Sequence, residues 1–154
     1  PFDFFSFFRY VFNFKNVMNN ELVDKFLDNK SEDGCISRIA FQFYPAGEGG
    51  MNAHIDPLDF HQSIIPTLVM SKKGKDFKNG GLFVGTKEEK LNIDDYVSIG
   101  DLILFSPQLV HGVDIIDPDN KDNNFISSKG RWMCLFAVNK LNTNNLISNS
   151  SEIK

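Results

Sequence analysis

The sequence predicts a mainly β fold with N-terminal helices, in which short strands form a sandwich or a jelly roll. Residues 1–34 carry apolar side chains at the spacing of an amphipathic helix. From Cys35 onward, apolar and polar residues alternate with the period of two that is typical of strands. About seven short strands separated by turn residues follow as far as Val138, a pattern typical of sandwiches and jelly rolls.

The N-terminal part is rich in phenylalanine and is expected to form two helices. Between Pro1 and Met18, apolar residues at i, i+3 and i+4 predict a helix with one buried face, although so many aromatic residues also fit a strand. Asn19-Asn20-Glu21 predicts the start of a second, short helix. Interspersed Asp, Arg and Lys favour packing helices over membrane anchors. The apolar faces are Phe4, Phe5, Phe7, Phe8, Val11 and Phe12 in the first helix, and Leu22, Val23, Phe26 and Leu27 in the second.

Extended segments and turns alternate through the rest of the chain, without an internal repeat. We predict a single domain over residues 1–138, with its jelly-roll core over 35–138 and a polar insertion over 117–130. The Asn- and Ser-rich stretch 139–154 is expected to be a loosely ordered tail. The predicted extended segments are Cys35–Pro45, Ala53–Pro57, Ile64–Ser71, Leu82–Gly85, Tyr96–Ile99, Leu102–Phe105, His111–Ile116 and Arg131–Val138.

Composition indicates an ordinary globular protein. The 154 residues allow one domain with a sizeable core, and the net charge of −4 gives no electrostatic reason to expect nucleic acid or an anionic membrane as a partner. Cys35 and Cys134 are too few for a disulfide scaffold, which favours two reduced thiols in a cytoplasmic protein. The sequence contains no apolar run of transmembrane length and no signal peptide, although it begins at Pro1 rather than at Met.

Two histidines and one aspartate form the candidate metal site. In an extended segment, side chains alternate faces, so His54 and Asp56 project the same way. His111, from a distant strand, would add a third ligand, and two histidines with one carboxylate suit non-haem Fe(II) and leave three coordination positions open. H-x-D alone is a weak pattern, because an isolated histidine is often only a hydrogen-bonded core residue. The remaining histidine, His61, lies outside this pattern and is expected to be pocket-lining or structural.

Further motifs accompany these residues in a fixed order. They are Phe43-Tyr44-Pro45, His54-Ile55-Asp56, Gly80-Gly81-Leu82-Phe83, Ile99-Gly100-Asp101-Leu102-Ile103-Leu104-Phe105, His111-Gly112-Val113 and Gly130-Arg131-Trp132. This order resembles the Fe(II)- and 2-oxoglutarate-dependent dioxygenases, in particular their prolyl-4-hydroxylase-like branch, over roughly Ile36 to Val138. The resemblance implies a double-stranded β-helix, which is a cupin-like jelly roll with the metal between two facing sheets.

The resemblance also implies roles for individual residues. His54, Asp56 and His111 would be the iron ligands. Arg131 would bind the far carboxylate of 2-oxoglutarate, since a planar guanidinium suits a target with two oxygens. The Tyr44 hydroxyl would point toward the cosubstrate. The implied cofactor set is Fe(II), 2-oxoglutarate and O₂, with ascorbate as an optional addition.

Several departures from the family pattern accompany the match. Nineteen residues, Gly112 to Gly130, separate His111 from Arg131 where relatives have about ten, an insertion that a hairpin tip can absorb. Met133 lies two residues after Arg131, at the position where many relatives place a hydroxyl, and Thr67 or Tyr44 are candidates to supply that hydroxyl instead.

The presence of Asp56 argues against the halogenase subgroup. The second arginine motif of the nucleic-acid demethylating branch is absent, in agreement with the acidic net charge. Trp132, Phe41 and Phe43 are expected to be core residues rather than substrate stackers.

The implied activity is hydroxylation of an unactivated C–H bond, with 2-oxoglutarate converted to succinate and CO₂. The substrate would be a peptidyl proline or a small amino-acid-like molecule, and the oligomeric state stays open. A cupin-like metal enzyme that does not use 2-oxoglutarate is one alternative, and it predicts that Arg131 is dispensable. A catalytically inactive jelly-roll binding module is the other, and it predicts no succinate with any substrate.

Overall fold

The computed structural model describes residues 3–28, 30–56, 61–86, 88–120, 129–141 and 151–152. Within these residues the protein is mainly β, with one α-helix, nine strands and one short 3₁₀ helix. The elements are α1 (Phe4–Met18), β1 (Cys35–Pro45), β2 (Met51–Ile55), β3 (Ile65–Val69), β4 (Gly81–Gly85), β5 (Lys90–Asn92), the 3₁₀ helix Ile93–Asp95, β6 (Leu102–Phe105), β7 (His111–Asp114), β8 (Gly130–Lys140) and β9 (Ser151–Glu152).

The strands form two separate antiparallel sheets rather than one closed barrel. Sheet I has the order β1-β8-β3-β6, and sheet II has the order β5-β4-β7-β2-β9. The pairs β1–β8 and β3–β8 hold sheet I together, and β4–β7 and β2–β7 form the centre of sheet II. The mainly β class is therefore confirmed, and the arrangement is consistent with a β-sandwich.

The first predicted helix is confirmed as α1. The Asp3 carboxylate caps its N-terminus, accepting hydrogen bonds from the amides of Phe5 at 3.1 Å and Ser6 at 3.2 Å. The helix packs on the outer face of sheet I, where the Phe8 and Phe12 rings lie 5.5 and 5.8 Å from the ring of Phe136. No helix in the described part of the chain is both long and apolar enough to cross a membrane.

The second predicted helix is wrong, because residues 19–28 form successive turns. Asn20 and Phe26 have φ angles of 58° and 61°, which a right-handed helix cannot contain. The Asn16 side chain donates to the backbone carbonyls of Val23 and Lys25 at 3.2 and 2.7 Å. In a helix, these carbonyls would instead accept hydrogen bonds from backbone amides of the next turn. Leu22 of the proposed apolar face is 75% exposed, whereas Phe26 is buried.

Strand β8 separates two apolar clusters. Met133 and Leu135 point between the sheets, where they pack with Leu82 and Val113 of sheet II. The alternate residues Cys134, Phe136 and Val138 point the other way and pack under α1. Arg131 lies two residues before Met133 on the same strand, so both side chains are on the same face. Arg131 is also buried, which confirms its predicted inward orientation.

Several predicted strand boundaries differ from the structure by one or two residues, and other differences are larger. Tyr96–Ile99 is not a strand. The edge strand of sheet II is instead β5, and the 3₁₀ helix follows it directly. The Asn92 side chain caps this helix by accepting a hydrogen bond from the Asp94 amide at 3.1 Å. Strand β8 extends past Val138 to Lys140, and β9 of the predicted tail pairs with β2. Residues 121–128 of the polar insertion, and 142–150 and 153–154 of the tail, lie outside the described residues.

The prediction that Phe41 and Trp132 are core residues is wrong. They are 51% and 39% exposed and lie on the outer face of sheet I, where Phe41 stays half exposed although its ring lies 6.0 Å from that of Phe8 in α1. Phe43 stacks on its cross-strand partner Trp132 with ring centroids 4.5 Å apart.

Cys35 and Cys134 are both buried free thiols, and burial raises the pKa of Cys134 to about 11.

Candidate metal centre

The structure brings His54, Asp56 and His111 together. One ligand atom of each lies within 4.8 Å of the others. The Nε2 atom of His54 is 3.8 Å from Asp56 Oδ1, and the Nε2 atom of His111 is 3.4 Å from Asp56 Oδ2. Ligands that bind one ion at about 2 Å lie about 3 Å from each other. A small inward shift of these side chains would therefore let a single ion bind all three.

Strand pairing sets this geometry. His54 of β2 and His111 of β7 are direct partners in the antiparallel ladder, so their side chains lie on the same face of sheet II. The ring of Phe105 from sheet I lies 4.7 Å from that of His111, so this face is the one between the sheets. Asp56 follows the end of β2, and its amide donates to the Pro107 carbonyl at 2.9 Å. This bond, together with one from the Gln108 side chain to the Asp56 carbonyl at 3.0 Å, fixes the carboxylate beside the two rings.

Each histidine is held in the tautomer that a metal ligand needs. The Nδ1 atom of His54 lies 2.8 Å from the Asn52 carbonyl oxygen, and that of His111 lies 2.8 Å from the Leu109 carbonyl oxygen. A carbonyl oxygen only accepts, so Nδ1 carries the proton and the Nε2 atom of a neutral ring presents a lone pair. Both lone pairs then face the Asp56 carboxylate. With both rings neutral, three electron-pair donors converge, which is the arrangement that a cation stabilises.

The centre is shielded but open on one side. The side chains of His54 and His111 are 10% and 4% exposed, whereas that of Asp56 is 23% exposed. Solvent therefore reaches these three side chains mainly from the Asp56 side.

Arg131 is buried in the same inter-sheet interior, where it binds a residue that the sequence analysis did not identify. Its Nε atom donates to Asp94 Oδ2 at 2.7 Å and its Nη2 atom to Asp94 Oδ1 at 3.0 Å. The Nη1 atom lies 2.9 Å from the Met133 sulfur. Met133, two residues after Arg131, thus contacts the guanidinium through its thioether.

Tyr44 is the cross-strand partner of Arg131, and its side chain lies on the same inner face. Its hydroxyl donates to the Gln42 side-chain oxygen at 3.2 Å. Burial raises the pKa of Tyr44; the positive charge of Arg131 opposes this shift and the negative charge of Asp56 adds to it. The phenol is therefore within electrostatic range of both the metal centre and the guanidinium.

Thr67 is the third residue expected to contact the cosubstrate. It is completely buried on β3 and pairs with Leu135 of β8 and Ile103 of β6, two residues that pack between the sheets. Its side chain shares their face. The Thr67 hydroxyl has no hydrogen-bond partner among the described residues. A buried hydroxyl without a hydrogen bond reduces the stability of the folded protein unless another group bonds to it.

His61 is structural rather than part of the metal centre. Its Nδ1 atom makes a short hydrogen bond to Glu21, its carbonyl oxygen accepts from Lys15 Nζ at 2.8 Å, and the ring of Phe26 packs 5.0 Å from its own. The residue joins α1 and the turns after it to the segment before β3.

Comparison with known proteins adds no family assignment. A scan against protein-family models and a search of curated proteins found no match to this chain.

Proposed function

We propose that the chain is an Fe(II)- and 2-oxoglutarate-dependent oxygenase that hydroxylates an unactivated C–H bond. The observation that carries this proposal is the convergence of two Nε2 lone pairs and one carboxylate within 4.8 Å. Nitrogen and oxygen donors of this kind, two imidazoles and one carboxylate, suit non-haem Fe(II). Bound iron, with 2-oxoglutarate and O₂, would supply the C–H oxidation, in which 2-oxoglutarate is converted to succinate and CO₂.

The protein's own residues fit a dicarboxylate in the interior. The unsatisfied hydroxyl of Thr67 is one polar group that a ligand would complete. Tyr44 adds a hydroxyl near Arg131, and Arg131 retains three N–H donors beyond the two that Asp94 accepts. These residues would bind and orient the cosubstrate, while the apolar cluster that includes Leu82, Val113 and Met133 would exclude water from it.

The order of the strands supports a double-stranded β-helix. From β1 to β4 the chain changes sheet at every step, and from β5 to β8 it does so again. The only consecutive strands among these eight that share a sheet are β4 and β5. Two Greek-key halves of a jelly roll produce this alternation, with the ligand between the sheets.

The proposed substrate is a peptidyl proline or a small amino-acid-like molecule. It would reach the ion from the exposed side of Asp56. The net charge of −4 argues against nucleic acid as the substrate. Free buried thiols at Cys35 and Cys134 favour a reducing compartment such as the cytoplasm, where iron also stays ferrous.

A second candidate is a cupin-like metal enzyme that does not use 2-oxoglutarate. The bidentate ion pair between Asp94 and Arg131 favours it, because the guanidinium already has a carboxylate partner. In that case Arg131 would be a structural residue, and its replacement would leave turnover unchanged in any variant that folds.

Anaerobic loading with Fe(II), followed by exposure to O₂, tests these candidates. The proposal predicts stoichiometric binding of one Fe(II), and succinate formation from 2-oxoglutarate even without a substrate. The variant His111→Ala should lose both Fe(II) binding and succinate formation. The variant Arg131→Gln should lose succinate formation but still bind Fe(II). Metal binding without 2-oxoglutarate turnover would support the second candidate. Absence of metal binding by the folded wild-type protein would contradict both.

A further inference from the structure

A buried ion pair connects the two halves of the sandwich. Asp94, in the 3₁₀ helix that follows β5 of sheet II, and Arg131, on β8 of sheet I, are 3% and 1% exposed. Two hydrogen bonds of 2.7 and 3.0 Å join their side chains. A surface ion pair would contribute little, but the charges of a buried pair are only weakly screened.

Asp94 occupies a site that is built around its carboxylate. Besides the two bonds to Arg131, Oδ2 accepts from the Leu82 amide at 2.6 Å. A Cβ atom at Gly81 would lie 2.5 Å from the same oxygen, so glycine is what allows the carboxylate to approach β4 this closely. Sheet II therefore holds the anion in a fixed position, and the anion in turn holds the guanidinium of sheet I.

The ion pair leaves one edge of Arg131 for another acceptor. A guanidinium has five N–H donors, and Asp94 accepts one from Nε and one from Nη2. The remaining three belong to Nη1 and Nη2. Their contact in the described structure is the sulfur of Met133, which is a weak acceptor. A second carboxylate could accept hydrogen bonds along this edge while Asp94 keeps the first.

We propose that Asp94 is the resident counter-ion of Arg131 and weakens the binding of a carboxylate ligand, such as the far carboxylate of 2-oxoglutarate, to that arginine. This inference rests on the proposed function. When no ligand is bound, Asp94 compensates a buried positive charge that would otherwise destabilise the fold. When a ligand carboxylate arrives, the same negative charge repels it across one guanidinium. Asp94 thus favours stability of the ligand-free protein at the expense of ligand affinity.

The variant Asp94→Asn tests both effects, because it removes the charge and keeps the side-chain shape and one oxygen acceptor in the tight space beside Gly81. Its amide nitrogen replaces an oxygen that accepts from N–H groups, which adds to the expected loss of stability. The ligand-free variant should unfold at a lower temperature than the wild type. Its Kd for 2-oxoglutarate should decrease by about tenfold, which corresponds to about 1.4 kcal/mol. Binding is measured by anaerobic calorimetry with Mn²⁺ in place of iron, so the readout does not depend on turnover.

Asp95→Asn is the matched control. Asp95 is the next residue and has a half-exposed side chain, which forms an ion pair with Lys73 at 2.7 Å. Its replacement makes the same change in net charge outside the interior. Both the unfolding temperature and the Kd for 2-oxoglutarate should stay near the wild-type values.

A second measurement uses the wild-type protein alone, in case Asp94→Asn fails to fold. The Kd of 2-oxoglutarate is compared with that of its analogue in which the far carboxylate is an amide. If Asp94 already neutralises Arg131, the two values should differ by less than about tenfold; a charge-assisted bond to an uncompensated arginine would exceed this ratio.

The outcomes separate this inference from the proposed function. An unchanged or weaker affinity in folded Asp94→Asn, or a larger ratio in the amide comparison, would overturn the role of Asp94 while leaving 2-oxoglutarate as the cosubstrate. If the Mn²⁺-loaded wild-type protein binds no 2-oxoglutarate, the proposed cosubstrate is wrong and the inference about Asp94 is wrong with it.

Discussion

His54 and His111 face each other across the β2–β7 pair, and each ring donates its Nδ1 proton to the carbonyl two residues before it. Neighbouring strands thus position the two Nε2 lone pairs independently of any ion. A site whose ligand orientation is set by backbone hydrogen bonds loses little conformational entropy on binding a metal.

The first prediction concerns metal-dependent stability. Zn²⁺, used as a redox-inert probe, should stabilise the wild-type protein by about 2.7 kcal/mol at one hundred times its Kd. Asp56→Asn should abolish most of this gain, because it removes the negative ligand and keeps the side-chain shape. Asp114→Asn is the control, since Asp114 is a partly exposed carboxylate paired with Lys90. Thermal unfolding with and without Zn²⁺ measures the effect, and equal stabilisation of the Asp56 variant would contradict the metal centre.

The second prediction concerns Thr67. Valine has nearly the same shape as threonine and lacks the unsatisfied hydroxyl, so Thr67→Val should raise the free energy of unfolding of the ligand-free protein by about 1 kcal/mol. If that hydroxyl binds the cosubstrate, the affinity for 2-oxoglutarate should fall severalfold in the same variant. Denaturant unfolding and calorimetry provide the two values. Thr86→Val, at an exposed position, should leave the affinity unchanged and should not raise the free energy of unfolding, because the Thr86 hydroxyl already accepts a 3.4 Å bond from the Glu89 amide.

The third prediction is a double-mutant cycle on the ion pair that joins the sheets. Asp94→Ala alone should destabilise the fold by about 3 to 5 kcal/mol, because it leaves the Arg131 charge buried without its partner. Adding Arg131→Met should restore a substantial part of that loss. Denaturant unfolding of the four proteins gives the coupling energy. Additive effects would show that the two side chains do not stabilise each other.

Local patterns in the sequence predict much of this structure. The spacing of Phe8 and Phe12 predicts part of the buried face of α1, and alternation in β8 is sufficient to orient Arg131 inward. In both cases the period of a single element determines which side chains are buried. Phe4 and Phe5, which the same pattern placed on that face, are 55% and 80% exposed. The grouping of His54 with His111 depends on pairing between strands that are distant in sequence, so it was predicted only through the order of the motifs.

Features that depend on tertiary contacts were not predictable in this way. Asp94 and Asp95 are adjacent and chemically identical, and only the position of Arg131 in the fold makes one a buried partner and the other a surface residue. The turns after α1 have helical apolar spacing in the sequence, but the Asn16 side chain binds the carbonyls that a second helix would need. Tertiary hydrogen bonds therefore override the local preference.

The fourth prediction concerns the attachment of α1 to sheet I. Phe136 is completely buried against the Phe7, Phe8 and Phe12 rings, so Phe136→Ala should reduce the free energy of unfolding by about 3 to 5 kcal/mol. Phe5→Ala on the same helix should change it by less than about 0.5 kcal/mol, since Phe5 is 80% exposed. Denaturant unfolding measures both. Similar losses in the two variants would show that the exposed face of α1 is also covered.

The fifth prediction is a loss of stability at high pH caused by Cys134. Burial raises the pKa of this thiol from 9.0 to about 11, so the folded protein retains a proton that the unfolded chain releases. The corresponding contribution to stability is complete below pH 9 and decreases as the pH rises toward 11; at pH 10 the decrease is about 1.4 kcal/mol. Cys134→Ala should remove this part of the pH dependence. The smaller alanine side chain also leaves a cavity, which lowers stability by the same amount at every pH. Urea unfolding of both proteins at pH 8 and pH 10 measures the difference, and identical pH dependence in the two would contradict the role of the thiol.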